Sequence, residues 1–114
     1  MSVRVKVCGI TRCEDAMSAV KAGVDAIGFV FWPQSSRYIN TDSAYSIACR
    51  IPSFVTVVGV YVDPDVSWVE QNIKTVKLNL LQFHGNESPE FCAQFSVPYI
   101  KAIRIKEDTD LLQY

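Results

Sequence analysis

Four side chains able to do chemistry stand at the ends of apolar runs: Cys8 after Val3 to Val7, Arg37 in the polar loop after Phe31, and Gln82 and His84 closing the run from Lys77. Cys8 is the most informative. A thiol between a strand end and a helix N-terminus lies beside positive backbone dipoles, which favour the thiolate and so make a general base from cysteine. Gly9 allows a tight turn there, and Thr11 with Glu14 three residues on has the spacing of a capping box for a helix opening near Cys13. His84 is the sole histidine and could titrate near neutrality, although lining a pocket mouth or orienting a neighbour suits it equally. Gln82 reads as a polar pocket wall. Arg37 taken alone would be a solvated loop cation, and Asp63, followed by Pro64, is as much a helix cap as a catalytic group. Cys13, Cys49 and Cys92 fall within helical patterns, where burial is expected.

The elements that must hold these residues alternate. Val3, Val5 and Val7 interleave with Arg4 and Lys6 at the two-residue period of a strand with one buried face. A helix follows from Cys13 to Ala22 and stops at Gly23; then come an apolar strand from Asp25 to Phe31, the loop Trp32 to Ile39, and a helix from Thr41 to Arg50 capped by Thr41 or Asp42 and closed by Pro52. Phe54 to Val62 is a third strand, Pro64 to Lys74 a third helix, and Lys77 to Phe83 a fourth strand. Ser88-Pro89-Glu90 opens a fourth helix, Pro98 to Ile105 is a fifth strand, and Glu107 to Tyr114 begins a fifth helix. Strand starts near Val3, Asp25, Phe54, Lys77 and Pro98 give a βα repeat, and hence a parallel sheet. Two architectures share that repeat, the open doubly wound sheet and the closed (β/α)₈ barrel. The turn Cys8-Gly9-Ile10-Thr11-Arg12 is not the G-x-G-x-x-G of a dinucleotide fold, so the expected fold is α/β of the TIM-barrel type, an incomplete barrel of about five parallel strands in one domain over 1–114.

Composition narrows the ligand. With 114 residues, 49% hydrophobic, 20% charged and a net charge of -1, the chain is a globular domain without the basic footprint of a nucleic-acid or anionic-membrane binder, and a small molecule is the expected partner. The four cysteines form no CxxC pair or zinc-type spacing, so neither metal nor disulfide is expected. No signal-like or membrane-length apolar run stands out, and a cytoplasmic protein with reduced thiols is the expectation.

The strings Val5-Lys6-Val7-Cys8-Gly9-Ile10-Thr11, Asp25-Ala26-Ile27-Gly28-Phe29-Val30-Phe31, Ser36-Arg37-Tyr38-Ile39, Val58-Gly59-Val60-Tyr61-Val62 and Leu81-Gln82-Phe83-His84-Gly85 together resemble the phosphoribosylanthranilate isomerase family of tryptophan biosynthesis. The resemblance covers the first five of that family's eight strands. It implies a cofactor-free Amadori rearrangement of N-(5-phosphoribosyl)anthranilate, a phosphorylated substrate, to carboxyphenylamino-deoxyribulose phosphate. Cys8 would be the base that takes the C2' proton, and Arg37 would hold the anthranilate carboxylate, which suits its planar and permanently charged donor fork. Gln82 and His84 would line the substrate pocket. The family's acid, an aspartate ending the sixth strand, and its phosphate loops after strands seven and eight have no counterpart in these residues. The alternative is a catalytically incompetent half-barrel that retains anthranilate binding or only self-assembles. Were the chain to end at Tyr114, its first and fifth strands would be open edges, and a homo-oligomer pairing through them is expected.

Overall fold

The computed structural model describes residues 3–102. Five strands, β1 (Lys6–Cys8), β2 (Ala26–Val30), β3 (Thr56–Tyr61), β4 (Leu80–Phe83) and β5 (Tyr99–Lys101), form one parallel sheet in chain order. Between them run α1 (Cys13–Lys21), α2 (Thr41–Ala48), α3 (Val66–Asn72), prolonged by a π-helical turn over Ile73–Lys77, and α4 (Pro89–Ala93). Sequential order means that every crossover steps to the adjacent strand in the same direction. A doubly wound sheet would reverse its order and place helices on both faces.

Side-chain alternation along the strands explains the layering. One face carries Ile27, Phe29, Phe31, Val57, Tyr61, Leu81 and Phe83, and against it pack the buried Ala16, Ala44, Ile47, Val69, Val76 and Cys92 of the helices. Its aromatic spine runs Phe31, Tyr61, Phe83 and Phe95, with ring centroids 5.5, 6.1 and 6.0 Å apart in that order. The opposite face carries a smaller cluster, Val30, Val58 and Val60, flanked by Cys8, Ala26, Trp32 and Leu80. In a barrel that face points inward. Registers Cys8↔Gly28, Gly28↔Val58 and Val60↔Gln82 align the chemistry-bearing ends of the strands.

Several expectations for the elements need correction. Val3 and Val5 are 85% and 49% exposed, because pairing with β2 begins only at Lys6, so the first strand is shorter than Val3 to Val7 and ends in Cys8 itself. Thr11 does not cap α1. The N-cap position is Arg12, without a side-chain cap, and Glu14 pairs instead with the Arg12 guanidinium. Asn40 caps α2 in place of Thr41 or Asp42, its side chain accepting from Ser43 N at 2.8 Å. Lys77 ends the π turn at φ 64°, with Leu78 N bonded to Ile73 O, so the fourth strand opens at Leu80. Cys92 is buried and Cys13 half-buried, whereas Cys49, at the C-cap of α2, is exposed. Gly23, at φ 92°, and Ser88, accepting from Phe91 N, do close α1 and open α4. The expected helix over Glu107 to Tyr114 and the end of the fifth strand lie outside the described residues. Among the described residues, no helix is long and apolar enough to cross a membrane.

Candidate active site

At the C-terminal ends of the strands, Cys8, Arg37, Gln82 and His84 line one open cleft of about 650 Å³, together with Lys6, Trp32 and Ser35. Cys8 reaches it as the last residue of β1 and is half-buried. The β1–α1 turn is held from below, since Gly9 N and Ile10 N both donate to Gly28 O, at 3.0 and 3.1 Å. Two glycines make the room. An alanine Cβ at Gly28 would lie 3.1 Å from Cys8 Sγ, and one at Gly9, where φ is +85°, would lie 2.5 Å from Arg37 Cδ.

Arg37 comes from the loop between β2 and α2. That loop folds back on itself: Ser35 N donates to Trp32 O, Arg37 N to Ser35 Oγ, and Ile39 N to Val30 O. The guanidinium therefore lies across Gly9, with Nη1 donating to the carbonyl of Cys8 at 3.4 Å. This is its one side-chain hydrogen bond among the described residues, and its other donors remain free for an anion.

On the far wall, Gln82 and His84 project from one side of β4, since residues two apart share a face. Gln82 Nε2 is 2.6 Å from His84 Nε2, and the Lys6 ammonium donates to Gln82 Oε1. His84 is held below the ordinary imidazole range, first by partial burial and then by the charge of Lys6, with Lys101 adding to that and Glu87 opposing it. Among the described residues the cleft wall bears the cations Lys6 and Arg37 and no carboxylate, which suits an anionic ligand.

Asp63 does not cap α3 and does not line the cleft. Its backbone is left-handed, at φ 45°; its carboxylate accepts from Asn86 N at 2.8 Å, and its own N–H donates to Glu87 Oε2 at 2.8 Å. Glu87 also accepts from Gly85 N and pairs with the Lys101 ammonium, which ties the loops after β3 and β4 to β5. The supporting residues Lys6, Gly28 and Glu87 escaped sequence reasoning, as did the seat that Gly9, expected only as a turn residue, gives to Arg37. A signal existed for Lys6, which alternates in phase with Cys8 on β1. A hollow of about 390 Å³ lined by Tyr45, Cys49, Pro52, Val55 and Asn79 holds none of these groups. Among the described residues, no three His, Cys, Asp or Glu gather as metal ligands.

Comparison with known proteins places this geometry. The family model described as N-(5'phosphoribosyl)anthranilate (PRA) isomerase matches residues 5–114. N-(5'-phosphoribosyl)anthranilate isomerase of Nitrosospira multiformis is 63% identical over the whole chain, which spans 55% of that relative's length. A solved phosphoribosyl anthranilate isomerase in complex with reduced 1-(o-carboxyphenylamino)-1-deoxyribulose 5-phosphate superposes with a TM-score of 0.89 at 42% identity, over 92% of this chain and 55% of that one. A structure described as mutually generated monomers of dimeric phosphoribosylanthranilate isomerase from Thermotoga maritima superposes with a TM-score of 0.88 at 38% identity, over 94% and 56%. The chain thus spans about half the length of the relatives it matches.

Proposed function

The chain belongs to the N-(5'-phosphoribosyl)anthranilate isomerase family, and from that premise we propose that it supplies the proton-abstracting and anthranilate-binding half of an aldose–ketose isomerase site. The observation that carries the proposal is the placement of Cys8 and the Arg37 guanidinium at one mouth, joined by the bond from Nη1 to the Cys8 carbonyl. A planar cation with free donors is matched to an aromatic carboxylate. A thiol close by, on the inner face of β1, suits removal of the proton from C2', the neighbour of the sugar carbon that bears the anthranilate nitrogen.

The substrate is N-(5-phosphoribosyl)anthranilate. The nitrogen lone pair forms C1'=N as the C1'–O ring bond breaks and the ring oxygen takes a proton from an acid. Cys8, as thiolate, then accepts the C2' proton, and the freed pair makes C1'=C2' while the nitrogen regains its own. The resulting enolamine tautomerises to the ketone at C2'. Arg37 holds the carboxylate throughout, and Gln82 and His84 wall the cleft. The acid and the phosphate loops belong to the part of the family pattern after the fifth strand. No cofactor is called for in these steps. We read 1–114 as one partial barrel domain working in the cytoplasm on a small phosphorylated substrate. Among the described residues β1 and β5 each pair on one side only; were the chain to end at Tyr114 these would be open edges, and on that condition we extend the proposal to self-association through them. The dimeric relative supports association between copies. Sedimentation showing a folded monomer at micromolar concentration would remove that extension.

Calorimetric titration with anthranilate tests the binding half, and turnover in a barrel completed beyond the fifth strand tests the chemistry. Arg37→Ala is expected to raise KM, and Arg37→Lys to restore it only in part. Cys8→Ala is expected to lower kcat by ~10²–10⁴-fold with little change in KM. Unchanged kcat removes Cys8 from the mechanism.

A further inference from the structure

The polar row on the cleft's far wall has a direction. Lys6 carries only donors, so the Gln82 atom that it meets must be Oε1. The amide then has no choice at its other end: Nε2, also only a donor, faces His84 Nε2 at 2.6 Å. A ring nitrogen facing an amide N–H must itself be bare, so the imidazole is neutral and its single proton sits on Nδ1. We infer that Lys6 is a positioning residue that sets the tautomer of His84 through Gln82, so that the cleft presents a neutral imidazole with Nδ1 as its donor.

The charges around the ring agree. Lys6 on β1 and Lys101 on β5 oppose protonation, Glu87 after β4 favours it, and Arg37 from the β2–α2 loop adds a further positive charge to the same cleft. A protonated ring would turn a second N–H onto the Gln82 amide, and the amide cannot rotate to receive it without directing its NH₂ at the Lys6 ammonium. The device keeps a third cation out of the cleft. Its catalytic meaning rests on the isomerase reading: Arg37 is left to meet the carboxylate, and His84 contributes a hydrogen bond without exchanging a proton.

Because His84 is the sole histidine, the tautomer can be read directly from long-range ¹H–¹⁵N spectra of the labelled chain. The expected result is an Nδ1–H ring that titrates below the ordinary imidazole range. Lys6→Met frees the amide to turn, and the ring is expected to shift toward Nε2–H with its titration midpoint raised. Lys6→Arg, which keeps a donor, should preserve the parent pattern. Gln82→Glu should hold the proton on Nε2 and raise the midpoint further. An Nε2–H ring in the parent chain overturns the inference, as does an unchanged Nδ1–H ring in a folded Lys6→Met variant. Anthranilate failing to bind while Nδ1–H persists in the parent and is lost in Lys6→Met sinks the isomerase reading and sustains this one.

Discussion

Replacing Gly9 by alanine separates backbone strain from site geometry. At φ +85° an L-residue pays a left-handed penalty of ~1–2 kcal/mol. The new Cβ would also stand 2.5 Å from Arg37 Cδ, 2.7 Å from Nη1 and 2.9 Å from Nε. Those atoms belong to an exposed, flexible side chain, so the guanidinium swings away and the backbone stays. Stability then loses little beyond the strain, because the bond to the Cys8 carbonyl is long, at 3.4 Å, and solvent-exposed. Binding loses the charge-assisted contact as well. A charge-assisted contact contributes ~1.5–3 kcal/mol, so displacing Arg37 should weaken anthranilate binding roughly 10- to 150-fold. Urea denaturation followed through Trp32 and Trp68 measures the first effect, and calorimetry the second. In an Arg37→Ala background the same glycine change should still cost ~1–2 kcal/mol of stability, yet change binding no further. If Gly9→Ala binds anthranilate like the parent while Arg37→Ala does not, the turn does not seat the guanidinium and the reasoning fails. If the stability cost vanishes with Arg37, collision rather than φ was its source.

Three other outcomes follow from contacts away from Cys8. Tyr61→Phe keeps the ring stack on Phe31 but strips the partner from Asn72 Nδ2, which donates to Tyr61 Oη at 3.0 Å from a fully buried amide, so a loss of ~1–3 kcal/mol is expected in chemical denaturation. Burial raises the Glu87 carboxyl, but the Lys101 ammonium and the backbone N–H groups outweigh it and hold the group below its usual range. A depressed folded value gives stability that is present above the unfolded carboxylate range and lost as pH falls through the folded value. Glu87→Gln should therefore destabilise by ~1–3 kcal/mol at neutral pH, and the difference from the parent should shrink in acid; a pH-independent difference in denaturation midpoint would contradict this. Lys77→Gly relieves a side chain held at φ 64° on an exposed helix end, and after the added chain entropy of glycine it should stabilise by ~0.5–1 kcal/mol in thermal melts.

Local pattern carried much of this molecule. Four elements announce themselves through neighbours in sequence: β2 and β3 by their apolar runs, α1 by the stop at Gly23, and α4 by Ser88-Pro89 at its head. Each depends on backbone preferences and periodicity within a few residues, so the βα repeat and the strand-end position of Cys8 are legible without coordinates. Helix caps were less legible. Asn40, Thr41 and Asp42 are all capable cap residues, and the choice among them is made by where the chain leaves Ile39, whose N–H is bonded to Val30. Thr41 is drawn elsewhere, to the buried Asn72.

The site's supporting cast depended wholly on tertiary structure. Gly9 reads as a turn residue and Gly28 as a gap in an apolar strand. Only the register of β1 on β2 sets Gly28 beside the Cys8 thiol, and only the folded loop lays Arg37 over Gly9. Lys6 reads as the solvent side of a strand, because alternation marks two faces without saying which of them looks onto water and which onto a cleft. Across three strand spacings it meets Gln82, 76 positions away in the chain, and no short-range pattern records a contact of that reach. Local alternation marked the neighbourhood in which each strand stops. Closing those ends around one cleft, and so deciding which polar atoms face each other, required the sheet to curve, which is a property of all its strands together.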